Sequence, residues 1–587
     1  MLTPILLGGD FLITELMEMF KKQYDIKGDA LIIDRYELKP GIYIKINIDK
    51  TIDSSLIINK KNDDINHQQY NWFASRDYLS NLIDMNKPID GKKKIHSNNY
   101  MSFFMKKEVL VGEKSLSEDA LLDRIEEYYN ILSNPELKYN SKKKSLELYN
   151  EIDVPINEEL LRFCKDYLVN YIKDIKEQLE KEQFTNYVKL FFDVPYEEYE
   201  KESNRYLIPN LYNNNNYNIK INGNVYGLTN NNMGLNAKKP YLEHKTKYNS
   251  MPYLVDSKEI LVHKKFFDWI STRKSGFLYI DADSDFVEGI EENIKVGQGN
   301  CYFLYIKQGK EPELRDYEYL TGYNNDLYME VPNYIDAQYK KDNQWLDMER
   351  ETFQYLYEIE KFVDYIFFNQ ALIRHYKSDS KDIKTDQDIK NILLLTRDAF
   401  YEYFKKGKTQ HFKSVFKKHG IELVKRQLTL GNIYQASKGL NFYFAINNEK
   451  GGIEKMGGIY KQTIENIKEK LLLDDYLDCE SDEEYYVLAG QVVRYLTSQS
   501  QSRQKDHSTV DPFLNCKKDK RLKNEINTTF AKYSHAIVSN YVRFNQGLSM
   551  IEAYQPQNEN VDTQLFLAGF LGKNIFFEGK ESVDNEK

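Results

Sequence analysis

The chain reads as an α+β protein, with a mixed α/β N-terminal region and a C-terminal all-α helical bundle. Three observations carry that reading. LIIDRYEL (31–38) and GIYIKINI (41–48) alternate apolar and polar residues, as strands with one buried face do. Beyond residue 341 apolar residues recur at helical spacing. NNEKGGIEKMGG (447–458) places paired glycines around a charged stretch, which reads as a link between two helical regions.

In chain order, FLITELMEMFKKQY (11–24) is an amphipathic helix, and with the two strands it makes an α/β region over 1–115. Residues 117–150 and 157–183 read as helices of an insertion over 116–200. Ser117 with Glu118 and Asp119 supplies a helix start, and Pro155 separates the two helices. A second α/β region spans 201–340. Its helix at 258–270 carries Phe266, Phe267 and Trp269 as core residues, and GQGNCYFLYIKQG reads as a turn followed by a strand. In the helical region 341–447 a single long helix is expected over 343–376. Trp345, Phe353, Leu356, Ile359, Phe362, Val363, Ile366 and Phe367 would form its core stripe. The glycine link is placed at 448–458. The bundle over 459–587 has helices expected at 459–473, 483–500, 515–550 and 562–572. In the third of these, Phe530, Tyr533, Ile537, Tyr541, Phe544 and Leu548 share a face.

A length of 587 residues allows three to four domains. Abundant Lys, Asn, Ile, Tyr and Phe are what AT-rich codons produce, so Lys and Asn abundance is discounted as evidence of function. The net charge of −9 argues against a free-standing DNA binder but leaves local basic surfaces open. Cys164, Cys301, Cys479 and Cys516 form no C-x-x-C pair, so free thiols rather than a zinc site are expected. No apolar run is long enough for a membrane span, and MLTPILLGGD lacks the basic start of a signal peptide. A soluble, cytoplasmic protein is the expectation.

The most informative stretch is Trp72–Leu110, WFASRDYLSNLIDMNKPIDGKKKIHSNNYMSFFMKKEVL. Trp72, Phe73, Tyr78, Tyr100, Phe103 and Phe104 alternate with Arg76, Lys87, Lys92, Lys93, Lys94, His96, Lys106 and Lys107. Ammonium groups neutralise phosphates and rings stack on unpaired bases, so this mixture suits nucleic acid. Asn86 to Gly91 has turn chemistry and would present the lysine run on a loop. The plainer reading is a solvated lysine loop between core elements.

The second informative stretch is rich in Asn: thirteen of the 33 residues from Asn204 to Asn236. With Gly223, Gly227 and Gly234 it favours turns, and it runs on into Lys238, Lys239, His244, Lys245 and Lys247. Asn amides both donate and accept, which suits base edges. A flexible, compositionally biased surface loop is the alternative. Two further basic runs stand out. One, Lys405 to His419, reads as a solvated face. The other, Gln491 to Ile551, has ten Lys/Arg against four Asp/Glu.

No catalytic constellation is evident. There is no Walker loop, no H-E-x-x-H and no G-x-S-x-G elbow. Asp281, Asp283, Asp285 and Glu292 have calcium-loop spacing, but Phe286 sits where that loop needs glycine.

RDYLSNLIDMNKPID (76–90) followed by KKKIHSNNYMSFFMKKEVL (92–110) resembles the signature block of the Csh-type large subunit of type I-B CRISPR effector complexes, or Cascade. GLNAKKPYLEHKTK, GNCYFLYIKQGKEPELRDYEYLTGYNN and FLAGFLGKNIFF resemble further blocks of that family, so the likeness runs along nearly the whole chain. It implies a large subunit without catalysis or cofactor. That subunit sits beside the crRNA 5′ handle, recognises the PAM in target duplex DNA, helps open the duplex and steers the displaced strand. Its implied partners are crRNA, both DNA forms, the Cascade backbone and handle-binding subunits, the helicase-nuclease, and a small subunit matching its own C-terminal region; no membrane is involved. In such systems protein reads the PAM and base pairing reads the target.

Within that frame, Asn230, Asn231, Asn232, Asn236, Lys238 and Lys239 are the candidates for PAM or duplex contact, with Lys245 and Lys247 beside them. Lys92, Lys93, Lys94, His96, Asn98 and Asn99 would hold the crRNA handle or target DNA, Tyr100 would stack, and Lys106 and Lys107 extend the basic edge. Arg494, Arg503, Lys505 and Arg543 would guide the displaced strand. Two alternatives stand beside this reading. One is a structural ribonucleoprotein scaffold that reads no DNA. The other, remote, is a metal-dependent nuclease using Asp281, Asp283 and Asp285.

The family resemblance also implies a small subunit made from an internal start, and Met456 sits at the expected place. Lys450-Gly451-Gly452 can be encoded as a ribosome-binding sequence, with Ile453 to Lys455 as spacer. A C-terminally tagged gene is therefore expected to yield a second, short product on an immunoblot. Met456→Leu should abolish it, and a short band that survives the substitution would sink the idea.

Overall fold

The computed structural model describes residues 11–59, 67–112, 115–139, 142–152, 154–234, 254–273, 276–284, 290–291, 299–307, 309, 312–341, 344–447, 453–473, 477–499, 507–537 and 541–577. The protein is about 55% helical with 18% strand; sheets and helices mix in the N-terminal region and the C-terminal half is helical, which is the α+β class read from the sequence. Two compact units divide the chain: Met1–Ile294 with Gly299–Thr321, and Lys295–Gln298 with Gly322–Lys587.

In the first unit β1 (Gly41–Ile46), β2 (Ile52–Ile58), β3 (Ser102–Lys106) and β4 (Tyr187–Phe192) form a sheet ordered β2-β1-β4-β3. β1 is parallel to β4, and the other neighbours are antiparallel. The span expected as a helical insertion, 116–200, thus supplies a central strand, YVKLFF. Its apolar run does not alternate, because a central strand is buried on both faces. Its one charge, Lys189, is buried too and pairs with the buried carboxylate of Asp77, which also accepts from the Tyr36 hydroxyl. Helices Glu118–Ser133 and Glu158–Leu179 begin at Ser117 and Asn157, whose side chains accept from the backbone amides of Ala120 and Leu160. Their apolar faces, with Tyr128, Tyr129, Leu168 and Ile172, join β1 and β4 in one core.

The Asn-rich stretch is ordered into short elements over its described part. Two 3-10 turns, Ile208–Asn210 and Asn215–Tyr217, precede a hairpin of β5 (Ile219–Ile221) and β6 (Asn224–Leu228), and β7 (Leu254–Asp256) completes that sheet. Asn222 and Gly223 both have positive φ, as a two-residue hairpin turn with the strand-matching twist requires. A further sheet runs β11-β10-β8-β9, with β8 at Phe277–Asp281, β9 at Ile290–Glu291, β10 at Gly299–Lys307 and β11 at Glu313–Tyr323. Phe266, Phe267 and Trp269 pack in the core of this region with Phe20 from helix Phe11–Lys27.

The second unit opens with two antiparallel ribbons, β12 (Asp326–Val331) with β15 (Glu351–Tyr355), and β13 (Gln338–Lys341) with β14 (Gln344–Asp347). The single helix expected over 343–376 is corrected here. Trp345 lies exposed on β14, Phe353 lies buried on β15, and the helix begins only at Leu356 and ends at Phe368. Its start is held by Glu358, whose carboxylate accepts from the backbone amides of Gln354 and Tyr355 at 2.7 and 3.2 Å, and the N-cap position is Tyr355, a residue that does not signal an N-cap in a sequence. The glycine link is corrected as well. Residues 453–458 belong to helix Ile453–Leu472, and 448–452 lie outside the described residues. The helix expected over 515–550 is two helices, Asp519–Tyr533 and Val542–Ala553, with a 3-10 turn after the first.

Helices Asp482–Ser498 and Thr563–Leu571 cross at Gly490 and Gly569 with backbone against backbone. A Cβ on Gly569 would collide with the Val487 carbonyl, and one on Gly490 with the Phe566 carbonyl. Neither obstacle is a flexible side chain, so the helices themselves would have to separate. Gly458, by contrast, is exposed in its helix with nothing within 4 Å of where a Cβ would stand. Gly569→Ala is therefore expected to destabilise the unit by about 1–3 kcal/mol. Gly458→Ala should stabilise it by about 0.5–1 kcal/mol through a stiffer unfolded chain and a better helix residue. Urea unfolding of the two variants checks the pair, and equal midpoints would contradict the packing.

Candidate nucleic-acid interface

The signature block closes with the short helix Lys107–Leu110, and its two main elements are helix Tyr70–Ser80 and β3. Between them the chain crosses the interior, where every amide needs a partner. Asn98 and Asn99 supply those partners. The Asn98 amide donates to the carbonyls of Leu79 and Asn81 at 2.9 and 2.8 Å, closing the end of the helix. Asn99 donates to the Ser80 hydroxyl and accepts from the Met101 amide and the Ser102 hydroxyl, each at 3.0 Å. Three tyrosine hydroxyls reach in from neighbouring helices: Tyr128 donates to the Asn99 carbonyl, Tyr129 to that of Tyr100, and Tyr199 to that of Met101.

This overturns part of the sequence reading. Asn98 (2% exposed), Asn99 (0%) and Tyr100 (1%) have no face left for a base or phosphate. His96 is buried between the Tyr187 hydroxyl and the Lys93 carbonyl, and burial lowers its pKa, so it is no standing phosphate cation. The Trp72 ring already carries Lys45 and Arg76 at 4.8 Å each, which removes it as a free stacking platform.

The lysine run is presented as expected, by a specific device. The Asp90 side chain is 1% exposed, and its carboxylate accepts from the backbone amides of Lys92 (2.9 Å), Lys94 (2.6 Å) and Ile95 (3.1 Å). Lys93 takes a left-handed conformation, φ 57°, as the chain wraps this anchor. Lys92 and Lys93 are exposed and Lys94 half-buried. Lys106 is exposed near Glu108, whereas Lys107 is tied inward, donating to the Phe184 carbonyl at 2.8 Å.

Of the Asn triplet, Asn230 is exposed, Asn231 donates to Asp268 at 3.0 Å, and Asn232 is buried and donates to the Thr229 carbonyl. Asn232 is therefore withdrawn as a duplex contact. Asn236, Lys238, Lys239, Lys245 and Lys247 lie outside the described residues, as do Arg503 and Lys505. Arg494 is withdrawn as well. Its guanidinium donates to the Phe570 and Gly572 carbonyls, satisfying the C-terminal end of helix Thr563–Leu571, and burial pushes its pKa down to about 10. Arg543 is half-buried, and Met456 falls in the first turns of its helix. In the 405–419 run, read as a solvated face, Lys405 is instead buried against Glu360, and Lys406 and Lys408 both pair with Glu402.

What the sequence did not bring together is a cleft of about 760 Å³ in the first unit. Lys87 and Lys93 of the signature block line it, with Lys138 and Lys142 from the next helical stretch and Asn213 to Asn216 of the Asn-rich stretch. The Lys87 ammonium donates to the Asn210 and Tyr212 carbonyls at 2.7 and 2.6 Å, locking the Asn turn to the block. Asn215 is buried and donates to Ser145 and the Pro209 carbonyl, while Asn213, Asn214 and Asn216 are exposed. Lys138 and Lys142 gave no signal, because only the return of the chain at 209–216 sets them opposite the block; the NSKKK run at 140–144 was the one available hint.

Asp281 and Asp283 stand exposed at the end of β8. Among the described residues no group of three or more His, Cys, Asp or Glu could hold a metal ion, and no helix is long and apolar enough to cross a membrane. Comparison with family models, with curated proteins and with solved structures returns no match.

Asn99→Ala strands a buried hydroxyl and an amide at the crossing of the core, and should cost about 2–3 kcal/mol. Lys92→Ala, at an exposed position, should stay within about 0.5 kcal/mol of the parent. Thermal unfolding compares them; an Asn99 variant as stable as the Lys92 variant would return Asn99 to the ligand-contact reading.

Proposed function

We propose that the protein is the non-catalytic large subunit of a type I-B Cascade, contacting the crRNA 5′ handle region and recognising the PAM in target duplex DNA. In this reading it aids R-loop formation and recruitment of the helicase-nuclease in antiviral defence. The resemblance of the 76–110 block to the Csh-type family carries the assignment. Supporting it, the block's buried residues form a rigid frame around one exposed basic turn, Gly91 to Lys93. A frame of that kind suits a fixed contact with a phosphate backbone better than a mobile basic tail does. The working contact set is Lys92, Lys93, Lys94 and Lys106 for backbone phosphates, with Asn230 as the exposed member of the triplet for duplex contact.

A scaffold that touches only RNA and partner proteins is the second reading. It draws on the net charge of −9 and on the number of basic side chains used internally.

The experiment is binding of the reconstituted crRNA complex, with and without this protein, to duplexes with a randomised flank beside the target. A short flanking motif should be enriched only when the protein is present, and Asn230→Ala should flatten that enrichment. Replacing Lys92, Lys93 and Lys94 together by Ala should lower the salt dependence of binding by up to about three units of slope. Flank-independent binding in the presence of the protein would favour the scaffold.

A further inference from the structure

The cleft between the signature block and the Asn turn has a charge pattern unlike the rest of the protein. Elsewhere in the described structure, buried lysines sit beside carboxylates: Lys189 by Asp77, Lys265 by Asp29, Lys405 by Glu360 and Lys470 by Glu484. None of the described residues lining this cleft is Asp or Glu.

Lys138 lies against the Tyr206 ring at 4.9 Å and the Tyr139 ring at 5.5 Å, with the Lys87 carbonyl at 3.4 Å. The charges that act on it are those of Lys142 and Lys87, and both repel; the Glu202 and Arg205 side chains of helix Tyr196–Leu207, which line an adjoining pocket with it, are paired with each other at 3.0 Å. Burial, reinforced by that repulsion, pushes its pKa down to about 7. Burial likewise brings Lys87 down to about 8, with Asp84 pulling the other way. The Lys87 ammonium is held by two carbonyls, Lys93 donates to the Asn86 side chain at 3.2 Å, and the Asn turn opposite is pinned by Lys144, which donates to the Asn216 and Asn218 carbonyls at 2.9 and 3.0 Å. A cluster of cations that the fold positions but does not neutralise is favourable only when an anion enters. The volume is in the range of small-molecule sites, and the exposed Asn214 and Asn216 add amide groups at the rim.

We propose that this cleft is a phosphate-oxyanion site, with Lys87, Lys93, Lys138 and Lys142 as its cations and the Asn213–Asn216 turn as its far wall. The class of ligand is a compact anion with clustered phosphate oxygens: a nucleoside polyphosphate, or consecutive phosphates of a strand. The site is argued from charge and geometry and goes beyond the Cascade reading; only if the phosphates belong to a strand does it deepen that reading, and there it rests on it. An entering oxyanion raises the pKa of Lys138, so near pH 8 binding draws a proton from the buffer.

The full-length protein is titrated calorimetrically with pyrophosphate, with ATP and with a ten-nucleotide single strand, at pH 8, in two buffers of different ionisation enthalpy. At least one probe should bind with net proton uptake. Lys138→Met with Lys142→Met should weaken that probe by about tenfold or more, as loss of charge-assisted contacts does, and abolish the proton uptake. The double variant should melt no lower than the parent, since it removes repulsion and a buried amine, so lost binding cannot be put down to unfolding. Lys143→Met, on the neighbouring exposed residue, should leave binding unchanged. Binding of pyrophosphate or ATP identifies a free phosphate ligand; binding of the strand alone identifies a backbone site. No binding by any probe overturns the proposal, as does binding that the double variant leaves intact. The flank-selection experiment does not depend on these results, so the Cascade reading can fail while pyrophosphate still binds, or stand while all three probes do not.

Discussion

A chain that crosses its own core must satisfy its backbone on the way, and the first unit is arranged around one such crossing. From His96 to Ser102 the backbone runs through an interior closed by tyrosines and apolar strands. Two asparagines and three tyrosine hydroxyls take up its amides and carbonyls. The consequences spread in both directions. Upstream, Asn98 fixes where helix Tyr70–Ser80 stops, and Asp90 folds the lysine turn onto that fixed end. Downstream, Asn99 sets Ser102 at the start of β3 and hence the register of β3 against β4. An apolar substitute at either asparagine would leave several polar groups stranded together, which is why a polar knot of this kind specifies one arrangement as well as stabilising it.

The same knot explains what was legible in the sequence and what was not. The turn chemistry from Asn86 to Gly91 and the exposure of Lys92 and Lys93 were readable, because they are set by local residue types. The fate of Asn98, Asn99 and Tyr100 was not. An Asn amide has the same donors and acceptors whether it meets a base or a neighbouring carbonyl, and only the packing of Tyr128, Tyr129 and Tyr199 from distant helices decides. β4 escaped for a related reason, since burial on both faces removes the alternation that marks a strand. Ser117 announced its helix openly. Tyr355 hid the start of another, and with it the ribbons over 326–355. LIIDRYEL, read as a strand, is a short helix over Ala30–Ile33 and a turn, yet the α+β class survived because GIYIKINI does hold a strand and the helical periodicity beyond Leu356 is borne out.

Charge was the least transferable signal. In a protein of net charge −9 the basic residues were the natural place to look for nucleic acid. Yet many are used within the fold: Arg494 on helix-end carbonyls, Lys107 on a loop carbonyl, Lys405 on a buried glutamate. A local excess of Lys and Arg counts charges without counting partners. The cleft at Lys138 is the converse case. Its lysines come from separate stretches over 87–142, but the fold gathers them and lines the cleft with no Asp or Glu among the described residues.

The crossing of helices Asp482–Ser498 and Thr563–Leu571 has a consequence at the level of the gene. Every missense change in a glycine codon brings in at least one carbon at the β position, and at Gly490 and Gly569 that carbon meets another helix's backbone. Each non-synonymous neighbour of either codon therefore carries a packing cost. At Gly458, where a Cβ meets nothing within 4 Å, the same single-base change is free of that collision, so the cost of an identical mutation is set by where in the fold the codon falls.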